Sequence, residues 1–134
     1  MKNGQAIWFA CDAGAFGARK EGIWDPASVQ YEALLGGFST AMPKGKRLEY
    51  NSSSATHAML LTGVHFDKEG KPDRWKIENS WGKDVGDKGY FVCSEAYFQE
   101  FVYEAVIDRR HFSPAQLAML EKAPVVINAW DEDY

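Results

Sequence analysis

The tightest constraint in this sequence is the stretch from Ala58 to Asn79, which reads as two strands and the loop that joins them. Ala58 to Phe66 is an apolar run rich in strand formers. Asp67-Lys68-Glu69-Gly70-Lys71-Pro72-Asp73 is polar and carries the glycine and proline of a hairpin loop. Arg74-Trp75-Lys76-Ile77-Glu78-Asn79 then alternates polar and apolar, the period of a returning strand. Pairing the two strands brings their far ends together. Counting back from a loop centred on Gly70 sets His57 opposite the neighbourhood of Lys83, with Asn79 within a few residues of facing it.

The rest of the chain supplies more strands and a few short helices. Ile7-Trp8-Phe9-Ala10-Cys11 reads as a buried strand that leaves into a turn at Asp12-Ala13-Gly14. The segment on to Gly22 is Gly/Ala-rich and reads as a loop. Asp25-Pro26 is an N-cap with Pro at the first helical position, so a helix is expected through Val29, Glu32 and Leu35, stopped by Gly36-Gly37. Ser39 to Ser54 reads as a polar loop, as does Ser80 to Lys88. Gly89 to Cys93 is a strand, and Ser94 caps a helix over Glu95 to Phe101 with Phe98 and Phe101 on one face. Tyr103 to Asp108 reads as a strand, and Ser113-Pro114 opens a last helix to about Lys122. The tail from about 124 to 134 is extended and ends acidic. The expectation is an α+β arrangement, a small twisted sheet or partial barrel with helices at its margins.

Composition excludes several functions. The 134 residues suffice for one domain and are marginal for two, and an apolar share of 46% makes a core feasible. Five Trp, six Tyr and eight Phe imply an aromatic-rich core or a surface that meets something outside the chain. Net charge is −4, and the basic runs Lys44-Gly45-Lys46-Arg47 and Arg109-Arg110 are short, so nucleic-acid binding is not expected. No apolar stretch approaches the roughly 20 residues of a membrane span, and Met1-Lys2-Asn3-Gly4 lacks the apolar core of a signal peptide. Cys11 and Cys93 each lie in an apolar run and read as buried thiols. A reduced, cytoplasmic setting fits best.

Among the three histidines, His65 lies before Asp67 at the polar end of a strand and reads as exposed. His111 precedes a helix N-terminus and reads as local packing. His57 stands apart: it follows a Ser/Thr-rich loop and begins the strongest strand, where a side chain can face a cleft from rigid backbone. An amide oxygen of Asn79 accepting from one imidazole nitrogen would set the tautomer and free the other nitrogen to pair with a nucleophile. Trp81 follows closely, and an indole laid over that bond would exclude water and strengthen it.

Thr56-His57-Ala58-Met59, with the run on to Gly63, resembles the histidine block of papain-like cysteine peptidases. Glu78-Asn79-Ser80-Trp81-Gly82, with Gly86 and Gly89-Tyr90-Phe91, resembles their asparagine block. Three flanking segments are similar to the bleomycin hydrolase/aminopeptidase C branch: Trp8 to Asp12, Thr56 to Val64, and the tail Pro124-Val125-Val126 with Ala129-Trp130-Asp131. The resemblance runs over nearly the whole chain and covers only the C-terminal part of such an enzyme. It implies a papain-like fold, of which residues 1–134 are the sheet-rich half with flanking helices and an extended tail at about 124–134.

The resemblance implies an aminopeptidase that cleaves at peptide N-termini through a Cys-His-Asn site without a cofactor or metal. His57 would be its general base and acid, Asn79 the orienter and Trp81 the shield. The family's nucleophile lies in a Gln…Cys-Trp segment that this sequence does not contain, so the chain is expected to be inactive alone. Cys11, followed by Asp12, and Cys93, inside a strand, are poor replacements. Peptide substrates and a ring-like homo-hexamer are implied for the full-length enzyme. In the branch the tail is similar to an arm that reaches into the cleft. Here Glu132-Asp133-Tyr134 departs from the Pro-Met-Gly-Ala-Leu-like end, which leaves an arm and a solvated acidic tail both open. The alternative is a degenerate papain-like module that binds or supports without catalysis.

Overall fold

Ile7–Cys11 forms β1, and its last three residues Phe9, Ala10 and Cys11 are buried. A computed structural model describes residues 4–39 and 41–124, so the expected tail beyond 124 lies outside the described residues. The Gly/Ala-rich segment is more ordered than a loop. Gly17–Ala18 (β2) and Ile23–Trp24 (β3) pair antiparallel, and the turn between them closes through Gly22 N–H donating to Ala18 O at 2.9 Å.

The expected helix after Pro26 splits. Asp25 caps a 3-10 turn over Pro26–Ser28, Val29 is extended at φ −133, and α1 spans only Tyr31–Leu34. Gly36 and Gly37, both at positive φ, end it as expected, with Gly37 N–H on Glu32 O at 2.7 Å. The polar stretch that follows is not all loop, because Lys44–Glu49 forms α2. Its residues other than Gly45 favour a helix, but six residues are too few to hold one alone. Long-range contacts hold it. Lys44 Nζ donates to Gln99 O at 3.0 Å, and Arg47 Nη2 donates to Glu100 O at 2.9 Å.

The central hairpin is β4, His57–Phe66, with β5, Pro72–Glu78, joined by a loop in which Asp67 Oδ1 accepts from Glu69 and Lys71 N–H. Tyr90–Ser94 is β6. Ser94 then caps α3, Glu95–Phe101, its hydroxyl accepting from Tyr97 N–H. The buried face of α3 carries Tyr97 and Phe101, four apart, rather than Phe98 and Phe101. Phe98 instead stacks on Trp75 at 4.3 Å. Val102–Ala105 is β7, shorter than expected, and Ser113 opens α4, Pro114–Leu120, through a reciprocal capping box with Gln116.

The seven strands make one curled, open sheet in the order β2-β3-β6-β5-β4-β1-β7. All pairs are antiparallel except β3 with β6. One face buries Phe9, Met59, Leu61, Ile77, Phe91 and Trp24 against Tyr97 and Phe101 of α3. Burying each large apolar side chain contributes roughly 1.5–3 kcal/mol, enough to hold the curl that positions the strand ends. Large apolar side chains outside this core stay exposed, among them Leu34, Phe38, Tyr50 and Val106. Among the described residues no helix is long and apolar enough to cross a membrane.

Candidate active site

His57 is the first residue of β4, and the strand's register carries it to the open end of the hairpin. Leu60 pairs with Glu78 and Leu61 with Ile77, so β4 continued back to His57 runs toward Trp81. The expected partner region near Lys83 is two residues too far. The first pair at the loop is Phe66 with Pro72, so the hairpin turns about Glu69 rather than Gly70, while the irregularities between Leu61 and Gly63 and between His65 and Phe66 offset each other.

His57 Nε2 and Asn79 Oδ1 are 2.8 Å apart. The same oxygen accepts from Ser80 N–H at 2.8 Å, which identifies it as the amide oxygen. An oxygen cannot donate, so Nε2 carries the proton of the neutral imidazole and Nδ1 is the free lone pair. The backbone after Asn79 therefore decides the tautomer of a histidine 22 residues earlier. Asn79 N–H in turn donates to Gly89 O at 3.1 Å, tying the amide to the start of β6. Its Nδ2 is buried without a hydrogen-bond partner among the described residues.

Trp81 stacks on the imidazole, with ring centroids 4.8 Å apart and planes 18° from parallel. Phe91 meets the indole edge-on at 5.6 Å and Trp24 at a tilt at 5.8 Å. Asn79 and Trp81 lie two residues apart, and the fold brings them to His57, more than 20 residues earlier. Sequence reasoning missed Arg19, whose guanidinium carbon lies 4.4 Å from the Trp81 ring centre. It also missed the network that fixes the loop before His57. Ser53 Oγ donates to Asp12 Oδ2 at 2.7 Å and accepts from Tyr103 O–H at 2.6 Å, while Thr56 N–H donates to Cys11 O. The cluster of serines before a histidine was the available signal.

Neither thiol joins the pair. Cys11 is the backbone partner of His57 across β1 and β4, yet it is fully buried. Burial pushes its pKa up to about 11, partly offset by the neighbouring Tyr97 hydroxyl, while the Asp12 charge adds to the rise. Cys93, also fully buried, is pushed up further by burial. Both are inert thiols at neutral pH, as their apolar runs suggested. His65 is exposed and pairs with Asp73 at 2.5 Å, and His111 is exposed in a 3-10 turn over Arg109–His111. Among the described residues no group of His, Cys, Asp or Glu is arranged to hold a metal ion.

The model of the peptidase C1-like family matches residues 1–132. Aminopeptidase C of Listeria monocytogenes is 39% identical over 131 residues, and bleomycin hydrolase of Homo sapiens is 41% identical over 133. Each of these matches covers 98% of this chain and 29% of the relative, so the chain spans less than a third of their length. The crystal structure of PepW from Lactobacillus rhamnosis HN001 matches with a TM-score of 0.83 at 44% identity, over 89% of this chain and 26% of that one.

Proposed function

We propose that this chain, a member of the peptidase C1-like family, supplies the imidazole and the orienting amide of a cysteine aminopeptidase whose thiol comes from the part of its relatives that it does not span. One observation carries the reading. The His57–Asn79 bond leaves Nδ1 unprotonated, in a chain that matches proteins named aminopeptidase C and bleomycin hydrolase over 98% of its length.

The chemistry follows from that nitrogen. Nδ1 takes the proton of a cysteine thiol, and the thiolate attacks the carbonyl carbon at a peptide N-terminus. The imidazolium returns the proton to the leaving amine as the C–N bond breaks. Water, deprotonated by the same Nδ1, then hydrolyses the thioester. Asn79 holds the ring through Nε2 in both protonation states, and Trp81 keeps water from the bond. Residues 1–134 act as the sheet-bearing half of the catalytic unit. The assembled enzyme works on peptides in the cytoplasm as a homo-oligomer, a hexamer by family resemblance.

Co-expression with the remaining length of Streptococcus thermophilus aminopeptidase C, which is 42% identical over 131 residues, tests this. The chain alone hydrolyses no aminoacyl-coumarin amide. The assembled pair does, and His57→Ala lowers its kcat by about 100-fold or more. Activity that survives that substitution, or a complex that forms and stays inactive, overturns the proposal.

A further inference from the structure

We infer that Arg19 is a positioning residue of this site: its guanidinium holds the Trp81 indole against the His57 imidazole and so keeps the imidazole on Asn79. The inference rests on the reading of His57 and Asn79 as the working pair. The Arg19 guanidinium carbon lies over the indole at 4.4 Å from its centre, and the imidazole stacks on the same indole at 4.8 Å. Indole is the strongest of the side-chain rings for a cation, and a planar guanidinium can cover it.

Trp24 and Phe91 meet the indole tilted and edge-on, so they restrain its rotation without pressing it onto His57. Arg19 is exposed and makes no ion pair among the described residues, so its charge is not committed elsewhere.

The backbone brings Arg19 to this place independently of the cation contact. It follows β2 in the turn that leads to β3. Lys20 O accepts from Gly86 N–H at 3.1 Å, which ties that turn to the loop carrying Trp81. The two backbones pack so closely that a Cβ on Gly22 would come within 2.6 Å of Gly86 Cα. Arg19 is thus delivered to Trp81 by a turn already anchored to the same loop.

Nuclear magnetic resonance of the 134-residue chain tests this without reference to catalysis. The Nε2-bound proton of His57 exchanges with solvent only when the bond to Asn79 opens. Arg19→Ala speeds that exchange about two- to fivefold, the ratio expected from an exposed cation–ring contact. Arg19→Lys restores the wild-type rate to within about twofold. The Gly86 amide, bonded to Lys20, keeps its exchange rate in both variants. The carbon-bound ring protons of His57, shifted by the indole, move toward their free positions in Arg19→Ala alone. Unchanged His57 exchange and ring shifts in Arg19→Ala overturn the inference. Equal acceleration at Gly86 also overturns it, since Arg19 would then act on the loop as a whole. Because these readouts follow the imidazole directly, they can fail while the assembled enzyme is active, and hold while it is not.

Discussion

The Oδ1 of Asn79 accepts from His57 Nε2 and from the amide of the next residue, each at 2.8 Å. The second bond prevents the amide from flipping, so the first can run in one direction only. Nitrogen-15 spectra of the ring should show the tautomer protonated at Nε2 as the dominant neutral form. Asn79→Ala should lose that preference and cost about 1 kcal/mol of stability. A wild-type ring protonated mainly at Nδ1 would contradict the assignment.

The buried thiols make the fold sensitive to alkali. The Cys11 pKa rises from 9.0 to about 11 in the folded chain through burial. Between those values the unfolded chain has lost a proton that the folded chain keeps, so stability falls as pH rises. The contribution is fully present below pH 9 and is lost toward pH 11. Denaturant titrations should show a decline of up to about 1.4 kcal/mol per pH unit above pH 9 from this group. Cys11→Ala should flatten the slope, leaving the part due to Cys93 and to the buried Tyr97 phenol, both of which burial also pushes up. At pH 7 neither thiol should react with iodoacetamide until the chain unfolds.

Gly86 sits at φ +60, and a Cβ there would lie 2.4 Å from Tyr90 O. No flexible side chain can give way, because the obstacle is backbone. Gly86→Ala should destabilise by more than about 1 kcal/mol. It should also move Trp81 away from His57, visible as a change in near-ultraviolet circular dichroism. By contrast, Gly45→Ala, with open space around its Cβ, should be neutral or stabilising.

Ser53 is buried between the Asp12 carboxylate and the Tyr103 hydroxyl. Ser53→Ala leaves both partners without their bonds and should cost about 1–3 kcal/mol. Because the network anchors the loop that enters β4, the variant should also shift the His57 ring resonances. Ser54→Ala, at an exposed neighbour, should do neither.

Local pattern alone was enough to define the β4–β5 hairpin, the β1 and β6 strands, and the caps at Asp25, Ser94 and Ser113. These depend on alternation, turn chemistry and side-chain oxygens a few residues from the groups they satisfy. The His57–Asn79 pairing was readable for the same reason, since a hairpin relates two segments by a short count. Its register was not, because the loop folds about Glu69, with Asp67 N–H on Lys71 O, rather than about Gly70, which shifts the count by two.

Helix α2 depended on tertiary structure. Its six residues are too few to hold a helix alone, and Lys44 and Arg47 stabilise it by reaching carbonyls more than 50 residues away at the end of α3. The parallel docking of β3 on β6, the burial of Tyr97 in place of Phe98, and the seat of Arg19 on Trp81 are likewise long-range. The sequence by itself determined which residues could form the site and the short hairpin that pairs two of them. Only the curled sheet decided the register that runs His57 toward Trp81, the contacts of Arg19, Trp24 and Phe91 with that indole, and the depth at which both thiols are buried. Each of these depends on groups that are distant along the chain, and burial acquires a direction only once the layers have packed.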